Sequence, residues 1–377
     1  MAGRRIRLAT VQQRARTVRG LVPFVVGGLG LLMLIAAGAI FMGGDAFAYD
    51  FEAYFAAARR ILDGEPLYLP GTTEAYRAGE YEGLYLYPPP VAVAFMPLAL
   101  LDPETAATAW FVALLVMLAG GCALMPVSRA ARLTTFGLAT FSYAVLSDLN
   151  LGNVSIATFA LTALAWRQAD RPVASVAHVA LGLLRLPFGA FGIMWLFQGR
   201  WRMIVLTIGA GVVIVAISLP IVGVDTYREY FTTLTSLPDV STGEHNFSFK
   251  SIAIELGLGG GAASAALLLQ ILVGVAAIGF ASLRRDRDTA FVVTAVATLL
   301  IAPFLHPHYL VILLVPTAFL FDRLSPLAVG LPLLGWLPGN LLPVVAVATI
   351  AVLLLPTVAR AQRRDRPVSS GLVAEPT

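Results

Sequence analysis

Asp50 stands four residues before Tyr54 in YDFEAYFAAARRIL, where apolar and aromatic residues recur at helical spacing. A carboxylate held on such a helix at a water–lipid boundary can take a proton from a hydroxyl as a general base. Aspartate also caps helix N-termini, so Asp50 carries both readings. Arg185, in LLRLPFG, is a lone charge between two apolar runs. A cation there is costly and suits a bound phosphate, with snorkelling to the interface as the alternative. His306-Pro307-His308-Tyr309 follows Ala302-Pro303. Two histidines across a proline could ligate a metal, but no carboxylate or cysteine lies near them in the sequence. No metal site is expected, and a hydrogen-bonding role for His306 or His308 toward phosphate or sugar fits better. Asn153, closing Asn150-Leu151-Gly152-Asn153, reads as a cap and tight turn or as a binding residue. Tyr87 precedes three prolines and either lines a sugar site or is an interfacial aromatic. Asn246 lies in a polar loop, EHNFSFK.

These residues must be carried by an apolar scaffold. The chain has 377 residues, 58% hydrophobic and only 13% charged, about half the charge of an average soluble domain. Too little polar surface remains to cover a soluble globule, so the reading is a polytopic membrane protein. Lys250 is the sole lysine among 26 basic residues, a skew that suggests a GC-rich bacterial source. The arginines sit at the ends of apolar runs, not interleaved with aromatics, so no nucleic-acid partner is expected. Cys122 has no second cysteine to pair with and reads as a small buried hydrophobe.

Residues 1–20 are basic and contain no acid; residues 21–43 are then apolar throughout. Ala46-Phe47-Ala48 resembles a signal-peptide cleavage site, but the apolar run exceeds an h-region of roughly 7–15 residues. It reads as a retained first helix with a cytoplasmic N-terminus. Apolar length and arginine placement then suggest further spans near 105–125, 133–147, 153–167, 173–184, 187–198, 203–222, 262–282, 289–304, 309–321, 327–340 and 342–358. The expected fold is all-α, with about twelve transmembrane helices in a single domain over 21–358. The arginine-rich loops fall on the cytoplasmic side. The segment 359–377 is expected to be a disordered cytoplasmic tail. On the external side lie the acidic loop 45–90 with an amphipathic helix over 50–62, the Asp148–Asn153 turn, Arg185, the loop 225–258 and the 306–308 corner. Polar groups from distant positions thus converge on one membrane face, at the plasma membrane of a bacterium.

Taken in order, these pieces resemble glycosyltransferase family 87 of the GT-C superfamily. The matching stretches are Asp50-x-x-x-Tyr54 with Ala57-Ala58, Gly64-x-x-Leu67-Tyr68, Tyr87-Pro88-Pro89, Pro97-Leu98, Gly152-Asn153, Leu184-Arg185-Leu186-Pro187, Asn246-Phe247-Ser248, and Ala302-Pro303 with His306-Pro307-His308-Tyr309. Arg185 stands where the family usually has lysine, and Asn153 where it usually has glutamine. The resemblance implies a GT-C-like fold and an inverting transfer of a hexose, often mannose, from a polyprenyl-phosphate sugar. The acceptor would be a lipid-linked glycan or a phosphoinositide-mannoside-like glycolipid; the other partners are membrane lipids, and no cofactor is implied. In that picture Asp50 deprotonates the acceptor hydroxyl. Arg185 with His306 or His308 holds the donor phosphate, and Tyr54, Tyr87, Asn153 and Asn246 contact sugar or acceptor.

A transporter or flippase of lipid-linked glycans would use the same arginine and histidines as a headgroup path. Transporters commonly carry internal repeats, however, and none is visible here. An inactive scaffold member of the family is a third reading.

Overall fold

The computed structural model describes residues 2–78, 83–237, 246–324 and 328–355, and every regular element among them is a helix. Helices α1 (Ala2–Phe41), α2 (Tyr49–Asp63), α3 (Thr72–Ala78) and α4 (Pro89–Ala99) are followed by α5 (Pro103–Leu124), α6 (Arg129–Ala139), α7 (Tyr143–Leu151) and α8 (Ser155–Arg167). Then come α9 (Pro172–Leu184), a 3₁₀ turn at Leu186–Gly189, α10 (Ala190–Phe197), α11 (Trp201–Val222), α12 (Val224–Ser236) and α13 (Phe249–Glu255). The bundle closes with α14 (Gly260–Arg284), α15 (Arg287–Ile301), a 3₁₀ stretch at Pro307–Leu313, α16 (Leu314–Leu324) and α17 (Leu342–Leu353). The tail from 359 lies outside the described residues.

The chain is an all-α membrane protein, but its helices differ from the expected dozen spans. Among the described residues four are long and apolar enough to cross a bilayer: Leu21–Phe41 of α1, then α5, α11 and α14. A fifth span is possible if α7 and α8, bent by 117°, count as one. The other apolar runs form helices of 8–15 residues or 3₁₀ stretches. A helix of 13 residues rises only about 20 Å, against the roughly 30 Å of a hydrocarbon core. Apolar content in these runs serves contacts with other helices: twelve residues of α15 are buried, from Thr289 to Leu300. The spanning helix α11 is the opposite case, with Val205, Ile208, Val212 and Ile217 exposed, as a helix against lipid requires.

The arginine-bearing loops do meet at one end. Asp170, between α8 and α9, accepts from Arg200 at 2.7 Å and also from Arg287. Trp166 donates to Asp288 at 2.9 Å, Arg167 reaches the Leu124 carbonyl at 3.5 Å, and the Ser128 hydroxyl donates to Asp322 at 2.5 Å. Exposed pairs of this kind add little stability individually. What they establish is position: α8, α9, α10 and α15 all have an end anchored in this ring. The other ends of α8, α9 and α15, helices of 13, 13 and 15 residues, therefore stop at similar depths inside the bundle.

The opposite end is closed by a second apolar cluster containing Phe51, Tyr54, Tyr68, Tyr85, Phe95 and Tyr230. It joins α2, α4 and α12. Helix α2 falls within a residue of the expected 50–62, but its apolar face is spent on protein and not on a lipid surface. Phe51 packs against Phe95 and Trp110, and Tyr54 against Phe95 and Tyr87. Helix α4 starts at Pro89, with Pro88 extended before it, so the proline run serves as a rigid helix entry.

Candidate active site

The site is built on the corner between α7 and α8. Gly152 ends α7 at φ +68°, a left-handed conformation glycine adopts without steric cost. A side chain there would also collide with Phe51, because an added Cβ would lie 2.8 Å from the Phe51 Cβ. The missing side chain lets the start of α2 dock on the corner. Ala48 donates its backbone N–H to the Asn150 carbonyl at 2.8 Å, and Trp110 donates to the Gly152 carbonyl at 2.8 Å. Beyond the corner, α8 begins with bare peptide N–H groups. The buried carboxylate of Asp148 accepts two of them, from Ser155 at 3.1 Å and Ile156 at 2.8 Å.

This docking brings Asp50 to Asn153. The Asn153 amide donates to Asp50 Oδ2 at 2.8 Å, and its oxygen accepts from Arg185 at 2.8 Å and from the Ser155 hydroxyl at 3.1 Å. Arg185 also donates to Ser155 Oγ at 2.5 Å, and its guanidinium lies over the Tyr309 ring, 3.5 Å from the centroid. Its Nε is buried without a hydrogen-bond partner in the structure. Arg185 can sit here because α9 stops at Leu184 and the chain turns extended at Arg185 before the 3₁₀ turn. Asp50 remains partly exposed, whereas Asn153 is buried. Burial holds the Asp50 carboxyl above its ordinary range, against the Asn153 hydrogen bond and the Arg185 charge, which both pull it down.

Two tyrosines and two histidines frame this network. Tyr54 and Tyr87 share a hydroxyl–hydroxyl hydrogen bond of 3.1 Å. His306 and His308 stack nearly parallel at 5.5 Å, and both rings pack against Tyr309. Burial, then the charges of Arg185 and His306, hold His308 well below its usual range, so it is neutral. A cavity of about 20 Å³ opens beside Arg185, lined among others by Thr158, Phe188, Leu299, Tyr309 and Ile312.

The arrangement couples a partly exposed carboxylate to a fixed guanidinium, a pairing suited to removing a proton while holding an anion. Comparison with known families supplies the reaction class. The family model for glycosyltransferase family 87 matches residues 85–307, more than half of the chain. The chain belongs to glycosyltransferase family 87. It is, accordingly, a membrane glycosyltransferase. No curated protein and no solved structure matches it.

Within the family 87 match fall Tyr87, Asn153, Arg185, Asn246 and His306, while Asp50, Tyr54 and His308 lie outside it. The structure gathers Asp50, Tyr54, Tyr87, Asn153, Arg185 and the 306–309 corner into one site. Asp50 is not the helix cap: the N-cap of α2 is Ala48, and Asp50 is the second helical residue. Asn246 bonds to backbone beside the histidine corner. Its side-chain oxygen accepts from the N–H groups of Leu305 at 2.9 Å and Ser248 at 3.0 Å, so it staples the chain before α13 to the histidine corner.

Three neighbours stand outside the named candidates, although the sequence reading placed Asp148 in the external turn and Tyr309 in the histidine stretch. Ser155 and Tyr309 hold Arg185, and Asp148 holds the start of α8. Asp148 had a readable signal, since a carboxylate within a mostly apolar stretch deserves the same suspicion as Arg185. Ser155 carried none, because a serine after a turn is commonplace in a membrane protein.

Proposed function

We propose that this enzyme moves a hexosyl unit, mannose by analogy with known members of the family, from a polyprenyl-phosphate sugar to a lipid-borne acceptor. The acceptor is a lipid-linked glycan or a phosphoinositide-mannoside-like glycolipid. Asp50 takes the proton from the acceptor hydroxyl, and that oxygen attacks the anomeric carbon from the face opposite the phosphate. The bond from the anomeric carbon to the phosphate oxygen breaks, and polyprenyl phosphate departs with the electron pair. The configuration at the anomeric carbon is inverted. Arg185, with its unpartnered Nε, meets the phosphate, and neutral His308 offers a hydrogen bond rather than a charge. Tyr54 and Tyr87 bound the sugar. Positioning and charge stabilisation supply most of the rate.

The observation that carries this reading is the bridge from Asp50 through Asn153 to Arg185. It supports the reading because a carboxylate and a guanidinium lie on either side of one amide. A GT-C-like organisation agrees with an all-α bundle whose site lies at the end opposite the arginine loops. By the distribution of arginine that end faces outward from a bacterial plasma membrane, with both termini cytoplasmic.

The test uses purified protein in lipid, radiolabelled polyprenyl-phosphate mannose and a mannosylated phosphoinositide acceptor. Wild type should transfer label, and Asp50→Asn should lose about 10²–10⁴-fold, the usual contribution of a general base. Equal transfer by both would remove Asp50 from the mechanism. Movement of the labelled lipid across the bilayer without transfer would favour a transporter.

A further inference from the structure

The Asn153 side chain leaves little for a ligand. It is 6% exposed. Its amide oxygen accepts from Arg185 and from Ser155, which fills both lone pairs. The Arg185 donor and the Asp50 acceptor also fix which way the amide points. A flipped amide would set its N–H groups against the Arg185 donor and its oxygen against the Asp50 carboxylate. The nitrogen must therefore face Asp50, where it donates at 2.8 Å. Only one carboxylate oxygen, Oδ2, is engaged by it.

We infer that Asn153 is a positioning residue: Arg185 and Ser155 orient its amide, and the amide in turn orients and tunes the Asp50 carboxylate. This rests on the reading of Asp50 as the base and replaces direct sugar contact as the role of Asn153. The amide is the hydrogen-bonded link between the two charged groups of the site. A change at Arg185, such as arrival of an anionic phosphate, is therefore passed to Asp50 through one hydrogen-bonded chain.

The groups that face Asp50 are few. Tyr54 lies on its own helix, Tyr87 on the lead-in to α4, Arg185 after α9 and Tyr309 after α15. Asp148 stands behind Arg185, on the α7 side. Arg185 is the sole cation in that set. An N–H aimed at a carboxylate favours its ionised form, so removing the Asn153 amide must make Asp50 harder to ionise.

The experiment compares wild type, Asn153→Leu and Asn153→Gln in lipid, with Asp50→Asn as the spectroscopic reference. The carboxyl stretch of Asp50 is followed by infrared difference titration, which needs no substrate, and transfer kinetics are measured across pH. Asn153→Leu should move both the infrared titration and the acid limb of kcat/KM upward by about one pH unit. It should lower kcat about 10- to 100-fold, the scale of one charge-assisted hydrogen bond, with KM for the acceptor nearly unchanged. Asn153→Gln keeps an amide and should recover part of both effects. A raised acceptor or donor KM with an unmoved titration would return Asn153 to sugar binding and overturn the inference. A fall in activity that merely follows the folded fraction, again with an unmoved titration, would reduce it to a structural residue and overturn it too. The two readings also fail separately. If Asp50→Asn transfers normally while Asn153→Leu still shifts the titration, the base is misassigned and the link stands.

Discussion

Gly152→Ala tests whether the approach of α2 to the α7–α8 corner is what holds the carboxylate. Two costs are visible. The glycine sits at φ +68°, where an L-residue costs about 1–2 kcal/mol. The new Cβ would also lie 2.8 Å from the Phe51 Cβ and 3.4 Å from the Ala48 Cα, about 1 Å inside an ordinary carbon–carbon contact. Phe51 cannot yield by rotating, because the colliding atom is its Cβ and its ring is fixed between Phe95 and Trp110. The strain is relieved only if the start of α2 retreats, and Asp50 is the residue before Phe51. A retreat of about 1 Å lengthens the 2.8 Å hydrogen bond from Asn153 past any useful distance. Transfer should then fall about 100-fold, as misplacement of this size does elsewhere. The control is Gly64→Ala. That glycine ends α2 at φ +73° with nothing near its missing side chain, so it carries the conformational cost alone. Thermal unfolding in detergent, transfer kinetics and the infrared titration of Asp50 should separate the two variants. If Gly152→Ala transfers as well as Gly64→Ala and leaves the Asp50 titration in place, the close approach does not position the base.

Ala48, also within this junction, is the one non-glycine residue with positive φ among the described residues, at 63°. Ala48→Gly relieves that conformation but gives the unfolded chain more freedom, so a net gain of up to about 1 kcal/mol is expected; a lowered melting temperature would refute it. The pH dependence follows from Asp50. Burial raises its pKa by more than Asn153 and Arg185 lower it, and a base must be ionised to act. Transfer should therefore be full above the folded pKa and fall as pH drops through it. The limb should lie above the value of about 3.9 of a free aspartate. A kcat/KM profile still flat at pH 4 would contradict the burial of this carboxylate.

Arg185 was legible in the sequence because a charge between two apolar runs has few explanations, and the break it marks is the real end of α9. The amphipathic character of α2 was legible too, although not what covers it. The partnership of Asp50 with Asn153 was out of reach. It joins residues 103 apart, and it depends on a glycine whose importance lies in the side chain it lacks. The span count failed for a different reason. Apolar length separates buried residues from water but does not distinguish burial in lipid from burial in protein. α8 and α15 are apolar because they face other helices, and a rule calibrated on lipid-facing spans overcounts them.

The short helices and the site have one cause. Helices α8 and α9 have 13 residues each and α15 has 15. Anchored at the arginine ring, they end inside the bundle about 20 Å up. A helix that ends in an apolar interior leaves peptide groups that need polar partners. The N–H groups at the start of α8 are met by Asp148, and Asn153 with Asp50 lies at that same positive end. The carbonyls at the end of α15 are met by buried Gln270, which donates to Leu300 at 3.0 Å and to Ala302 at 3.1 Å. Arg185 follows the negative end of α9. Carboxylates thus gather at a helix start and the cation at a helix end, as the peptide dipoles favour. The groups proposed to move a proton and hold a phosphate occupy positions where this architecture stabilises charge. A full-length span would have carried its ends to the water on either side and left no such place for them.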